Sequence, residues 1–359
     1  MTSSGPAAVI VLAAGEGTRM RTALPKMLNE VCGRAMLGHV LAAASELSPD
    51  RLILVVGDLH GQVAQYAAER YPQATLVVQE RNGSWGTGHA VRTVIESLGI
   101  IPGTVLVIYS DTPMLRGQTL KTLAAEHQTS GAAVTVLTAK APDPSGYGRI
   151  IRDGPGQITA IVEEADATPE QRAVPEISSG IFAFDGELLA DAVKRVPTAN
   201  STGEEYLTDV PAILRSDGHE VGSAEVLDFD EVQGVNNQAQ LARARRVLND
   251  RLLARWMGAG VTIVDPASTW IDVDVTLQPG ARIEPGTQLE GRTEVRADAR
   301  IGPGCVLRDT IVGAQATVLQ SVCESAVIAD GSTIGPFAHV TGDSLSLSVD
   351  AQDEQARES

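Results

Sequence analysis

The stretch Leu12-Ala13-Ala14-Gly15-Glu16-Gly17-Thr18-Arg19-Met20-Arg21-Thr22-Ala23-Leu24-Pro25-Lys26 decides how the first half of the chain is read. The apolar run before it, Ala7 to Ala13, reads as a short buried strand. Gly15 and Gly17 then allow a sharp turn in which backbone N–H groups come close to an anion. Arg19 and Lys26 set mobile positive charge beside that cradle, so the loop reads as phosphate-handling rather than as a glycine turn with solvated cations. The spacing fails G-x-G-x-x-G, because Met20 stands where the third glycine belongs, and it lacks the Gly-Lys-Ser/Thr of a P-loop. A dinucleotide site and a P-loop are both disfavoured.

Downstream, β-type runs alternate with helical patterns. RLILVVG from 51, TLVVQE from 75, VLVIYSD from 105, AVTVLTA from 133 and GIFAFD from 180 alternate with GHVLAAASELS, GHAVRTVIESLG and TLKTLAAEHQ. The alternation predicts a Rossmann-like α/β domain with a mostly parallel sheet, whose ligands gather at the carboxyl ends of the strands. The glycine loop and Asp111 both fall at such ends. Residues 237 to 257 predict one amphipathic connector helix, with Leu241, Leu248, Leu252 and Trp256 on one face and solvated arginines on the other.

Beyond Pro266 the period changes. Ile271, Leu277, Ile283, Leu289, Val295, Ile301 and Leu307 stand six residues apart, the signature of a parallel β-helix with three hexapeptides to a coil. The phase shifts around Val312 and Val318 and resumes at Ile328, Ile334 and Val340, which predicts about four coils. The expected organisation is a catalytic domain over 1–235, a connector over 236–260, a short left-handed β-helix over 261–340 and a disordered polar tail over 341–359.

Composition narrows the function. A chain of 359 residues that is 43% hydrophobic can bury more than one core, and its net charge of −17 argues against nucleic acid or an anionic membrane as partner. Phosphate binding must then be local. Cys32, Cys305 and Cys323 are too widely spaced for a zinc site or a disulfide framework, which suits a reducing cytoplasm. No stretch approaches 18 uncharged apolar residues, and the apolar N-terminal run lacks a basic leader, so neither a membrane span nor an export signal is expected.

The opening loop, GTGHAV at 86, YSDTPML at 109, PSGYGRI at 144, IVEEADATPEQR at 161, GEEYLTD at 203 and GVNNQAQL at 234 occur in order before the hexapeptides. Together they resemble the bifunctional bacterial N-acetylglucosamine-1-phosphate uridylyltransferase/glucosamine-1-phosphate acetyltransferase family, over residues 7 to about 338. The resemblance implies a GT-A-like nucleotidyltransferase fold and residue roles. Leu12, Ala13, Ala14 and Gly15, with Arg19 and Lys26, look like the triphosphate loop and its catalytic cations. Gln79, Gly86 and Thr87 look like the base-binding segment, and Asp111 and Asn236 like the two protein ligands of Mg²⁺. Tyr109, Ser110, Gly148, Glu163 and Ser178 fall where the sugar is contacted. Blander readings exist: Gln79 as a surface residue, Glu163 as a solvated charge, Asn236 as a helix cap, and His89 as a packing or capping residue rather than a base.

In the implied reaction a sugar phosphate oxygen attacks the α-phosphorus of a nucleoside triphosphate. Like unit charges at roughly 4 Å repel by about 4 kcal/mol at an effective dielectric near 20, so counter-charge is the main catalytic need. Three departures bear on the substrate. Six residues, Glu80 to Trp85, stand where the family has four; Ser178 replaces an asparagine; and Ser110 replaces a glycine. They tilt the expectation toward a sugar or cyclitol 1-phosphate of specialised (antibiotic) metabolism, such as valienol 1-phosphate with UTP or GTP. The alternative is N-acetylglucosamine 1-phosphate with UTP, for cell-wall synthesis. An inactive scaffolding paralogue is disfavoured by the joint presence of Arg19, Lys26, Asp111 and Asn236. After Gly335-Pro336-Phe337 the chain departs from the family continuation that carries the acetyl-CoA site, so acetyl transfer is expected to be absent. Homotrimerisation through the β-helix is a further expectation.

Overall fold

The computed structural model describes residues 5–15, 17–80, 85–154 and 156–342. The segment Arg81 to Ser84, within the lengthened stretch noted above, and the tail from 343 lie outside the described residues. The chain divides into two compact units, one of residues up to Asn29 together with Ala35–Leu241, the other of Glu30–Arg34 together with the residues from Ala242 onward.

The first unit is built on β1 (Ala8–Leu12), β4 (Arg51–Val56), β5 (Thr75–Val78), β6 (Thr104–Tyr109), β7 (Val134–Lys140), β8 (Gly148–Arg152), β9 (Ile158–Val162), β10 (Glu176–Asp185) and β11 (Val221–Val226); β2 (Glu30–Val31) and β3 (Arg34–Ala35) form a separate two-residue hairpin. The sheet order is β11-β7-β10-β6-β1-β4-β5, with β8 beside β10 and β9 beside β8. β1, β4, β5 and β6 pair in parallel, as do β7 and β11, whereas β10 runs antiparallel between β6 and β7. All five residues of β1 are buried, as expected for a central strand covered on both faces. The helices α1 (Met36–Ser45), α2 (Gln62–Arg70), α3 (Thr87–Leu98) and α4 (Gly117–Ser130) occupy the crossovers. The periodicity anticipated α1, α3 and α4. It passed over α2, whose fully buried residues are only the small Ala64 and Ala67, and also the β8–β9 hairpin and β11.

In the second unit the six-residue period is realised as three parallel sheets. Ile271, Leu289, Leu307, Cys323 and Val340 stack in register in one, Leu277, Val295, Val312 and Ile328 in another, and Ile263, Ile283, Ile301, Val318 and Ile334 in the third. Cys323 supplies the inward residue that the aliphatic pattern lacks. The phase shift arises because the steps Leu307 to Val312, Val318 to Cys323 and Cys323 to Ile328 are one residue short. Asp309, Gln320 and Ser325 turn those tighter corners with left-handed backbone (φ 47°, 41° and 52°). Two residues before the inward aliphatics, Ala281, Ala299, Ala316 and Ala326 are also buried, and only small side chains suit that narrow interior. Burial pushes the Cys323 thiol up to about 11, in keeping with a packing role.

The helix Gln238–Gly258 is continuous. Within the second unit, its buried Asn249 donates from Nδ2 to the Thr269 carbonyl at 2.8 Å and accepts from the Ile271 amide at 2.9 Å. A buried polar residue thus satisfies the backbone of the first coil, a role that the apolar helix face gives no hint of.

Candidate functional site

Parallel pairing brings the carboxyl ends of β1, β4, β5 and β6 side by side. Leu12 stands opposite both Val55 and Tyr109, the Ser110 amide donates to the Leu12 carbonyl, and the Gln79 amide to the Val56 carbonyl. The loop after β1, the residues after β5 and those after β6 therefore open into one cleft of about 570 Å³. Twelve of the sequence-predicted residues line it: Leu12, Ala14 and Gly15; Arg19 and Lys26; Gln79, Gly86 and Thr87; Tyr109, Ser110, Asp111 and Asn236.

Gly15 faces open space: among the described residues, no atom beyond its chain neighbours lies within 4 Å of where a Cβ would stand. Gly17 has φ +63°, and a Cβ there would run into the Lys26 side chain. The second glycine thus lets the loop close over the lysine stem. Lys26 Nζ lies 2.6 Å from Asp111 Oδ2 and 2.5 Å from Asn236 Oδ1, and an Arg19 guanidinium nitrogen lies 3.0 Å from the same Asn236 oxygen. The Val235 amide donates to the Asp111 carbonyl, which ties the two loops together. Capping of the following helix falls to the next residue, since Asn237 Oδ1 accepts from the Gln240 amide. Asn236 is thereby left to face the cleft.

The oxygens of Asp111 and Asn236 fit a divalent cation. Asp111 Oδ2 and Asn236 Oδ1 converge on a single cationic atom, Lys26 Nζ, so two hard oxygens already point at one place. Among the described residues no cluster of three or more His, Cys, Asp or Glu side chains could hold a metal. A site with one carboxylate and one amide oxygen, completed by substrate phosphates and water, suits Mg²⁺ better than an all-protein cage would.

On the other side of the cleft, Gln79 Nε2 donates to the Gly86 carbonyl at 2.9 Å and meets His89 Nδ1 at 3.1 Å. Gly86, at φ +117°, precedes α3, and a Cβ there would collide with the Glu205 backbone. Thr87 Oγ1 accepts from the Leu207 amide at 3.0 Å. Arg92 grips the buried Glu205 carboxylate through two nitrogens, at 2.7 and 3.1 Å. Trp85 and Glu204 also line this wall; Trp85 belongs to the lengthened segment that the sequence sets beside the base, whereas sequence reasoning gave Glu204 no site role.

Three predicted sugar residues form an adjoining cluster rather than lining the cleft. Gly148 stands opposite Ser178 in the β8–β10 ladder, and a Cβ on Gly148 would lie 3.5 Å from the Glu163 carboxylate oxygens. Glu163 Oε1 accepts from the Thr208 hydroxyl at 2.8 Å. Burial holds the Glu163 carboxyl above its ordinary pKa, with Asp209, Asp166 and Glu204 adding to the effect and Thr208 opposing it. Ser178 is buried, and its hydroxyl oxygen accepts from the Gly180 amide at 3.3 Å across a bulge in β10. Gly180, at φ +77°, is essential to the packing, because a Cβ there would enter the Tyr109 ring. Desolvation by that packing raises the Tyr109 phenol pKa. Ala13 is buried just beyond the end of β1, its amide donating to the Val55 carbonyl.

Residues 9–181 match the family model of the MobA-like NTP transferase domain. The chain is 56% identical to the bifunctional protein GlmU of Streptomyces avermitilis, over 95% of this chain and 70% of that protein. With the Streptomyces coelicolor bifunctional protein GlmU the identity is 54%, again over 95% of this chain and 70% of that protein. A Bacillus anthracis structure described as a glucose-1-phosphate thymidylyltransferase in complex with a sucrose superposes with a TM-score of 0.54 at 18% identity, covering 67% of this chain and 94% of that one, and so shares the fold. No helix among the described residues is long and apolar enough to cross a membrane. On this likeness, spanning both units, the chain belongs to the family of bifunctional GlmU proteins.

Proposed function

We propose that this nucleotidyltransferase transfers a uridylyl group from UTP to N-acetylglucosamine 1-phosphate and releases pyrophosphate. The identity with GlmU proteins over 95% of the chain supports this substrate pair over the specialised cyclitol route that the sequence departures had suggested. Of those departures, Ser178 is buried with its hydroxyl accepting from the Gly180 amide, Ser110 is buried in the wall of the cleft, and the third lies largely outside the described residues.

The observation that carries the proposal is the meeting of Lys26, Asp111 and Asn236 at the mouth of the glycine loop. In the proposed step a phosphate oxygen of the sugar 1-phosphate forms a bond to the α-phosphorus, and the bond from that phosphorus to the pyrophosphate oxygen breaks. The attacking phosphate is already ionised at neutral pH, so no side chain needs to supply a nucleophile. Arg19 and Lys26 act as counter-charges for the α-phosphoryl oxygens and the departing pyrophosphate. Backbone at Ala14 and Gly15 borders the open space in which phosphates fit. Mg²⁺, when held by Asp111 and Asn236, supplies Lewis-acid charge neutralisation between the two phosphates. Gln79 and Gly86 border the base, while Tyr109, Gly148 and Glu163 form the sugar side, where the Glu163 carboxylate is a hydrogen-bond acceptor for a hydroxyl.

The proposal covers nucleotidyl transfer. Assembly through the solenoid is part of it, supported by Ile311 and the exposed Val327, which stand in register on successive coils. The direct test crosses a panel of nucleoside triphosphates with sugar and cyclitol 1-phosphates and follows pyrophosphate. Preference for UTP with N-acetylglucosamine 1-phosphate supports the reading; preference for a cyclitol phosphate restores the specialised route.

A further inference from the structure

The Gln79 amide is held in one orientation. A carbonyl oxygen can only accept, so the 2.9 Å contact with the Gly86 oxygen requires the NH₂ end of the amide at that place. Its second proton then meets His89 Nδ1 at 3.1 Å, which must be the unprotonated ring nitrogen, with the imidazole proton on Nε2. Both amide protons are thus committed inside the protein. The remaining polar atom, Oε1, has no partner among the described residues and belongs to a side chain that lines the cleft.

We infer that His89 is a positioning residue for base selection: by accepting from Gln79 it fixes an amide that presents a lone-pair acceptor, and not a donor, to the nucleobase. The inference rests on the nucleotide reading of the cleft and deepens it. A base with an N–H on its pairing edge, as at N3 of uracil, can donate to Oε1. Cytosine has a lone pair at that position, so two acceptors would face each other. Turning the amide over would repair that contact, but it would set Oε1 against the Gly86 carbonyl and require His89 to shift its proton from Nε2 to Nδ1. The environment of His89 favours the acceptor form. Burial and the Arg92 guanidinium hold the imidazole below its ordinary pKa, against the opposing carboxylates of Glu205 and Glu96.

The test compares kcat/KM for UTP and CTP, at saturating N-acetylglucosamine 1-phosphate, in wild type, His89→Leu and His89→Asn. The wild type should prefer UTP. His89→Leu removes the acceptor and should lower the UTP:CTP ratio by at least about tenfold, the scale of one lost hydrogen bond, acting through the nucleotide KM. His89→Asn, whose Oδ1 can stand in for Nδ1, should restore most of the ratio even if both variants lose some thermal stability. Equal losses toward UTP and CTP in His89→Leu, or an unchanged ratio, would overturn the inference and leave His89 a packing residue. A wild type that does not distinguish UTP from CTP would instead overturn the base-site reading itself, and the inference with it.

Discussion

Lys26 Nζ sits 2.6 Å from Asp111 Oδ2, joining a cation at the end of the glycine loop to a carboxylate just past β6, 85 positions further along the sequence. Neither group is freely solvated, so their charges act in a medium less polar than water. Replacing Lys26 by Met removes the counter-charge for the phosphates while keeping the stem that packs against Gly17. Turnover should fall by about a hundredfold or more, the scale on which one charge-stabilising element is lost, with the thermal midpoint nearly unchanged. Steady-state pyrophosphate release and a melting curve on the same preparation check both halves.

Gly180→Ala should damage the sugar side selectively. The residue has φ +77°, and its missing Cβ makes room for the Tyr109 ring. Alanine there should cost about 1–3 kcal/mol in backbone strain and push the ring aside. A rise in the KM for the sugar phosphate, larger than that for UTP, is the expected outcome. Equal effects on both substrates would mean that the ring serves the whole cleft.

Most of the fold was legible because it rests on periodicity. A central strand such as β1 is apolar on both faces, and the solenoid repeats its inward residue every six positions until the short corners at Asp309, Gln320 and Ser325. What escaped notice has weak or no apolar signal: the fully buried residues of α2 are small alanines, with Val63 and Tyr66 only partly buried, and Asn249 works through two hydrogen bonds that a pattern of apolar positions does not register. The site was legible as ordered motifs, and twelve of the predicted residues meet in one cleft. The supporting pairs were not. Arg92 with Glu205, Thr87 with the Leu207 amide and His89 with Gln79 are contacts between segments that only folding brings together.

Asn249→Ala should destabilise the second unit. The substitution removes the partners of the Thr269 carbonyl and the Ile271 amide, at a cost of about 2–4 kcal/mol for one or two unsatisfied backbone groups. Urea unfolding measures it, and a loss well under 1 kcal/mol would mean that water replaces the side chain.

The Glu163 carboxyl gives a pH signature. Burial raises its folded pKa above the ordinary 4.5, so the folded state holds the proton more tightly than the unfolded chain does. Its burial therefore costs nothing well below pH 4.5, and the cost grows as pH rises from there through the folded pKa. Glu163→Gln removes the charge and can still accept from Thr208. The variant should gain thermal stability relative to wild type at pH 7 and lose that advantage at pH 4. An advantage that does not change with pH would show that Glu163 is hydrated in the folded state.

The central claim is that Asp111 and Asn236 would hold a divalent cation whose charge the proposed uridylyl transfer requires. The most direct measurement is pyrophosphate release from UTP and N-acetylglucosamine 1-phosphate by wild type and Asp111→Ala, each with Mg²⁺ and with EDTA. The account predicts turnover by the wild type with Mg²⁺ alone, and a loss of at least about a hundredfold in Asp111→Ala that added Mg²⁺ does not restore. Full activity in EDTA, or an Asp111→Ala enzyme that turns over like the wild type, would contradict it.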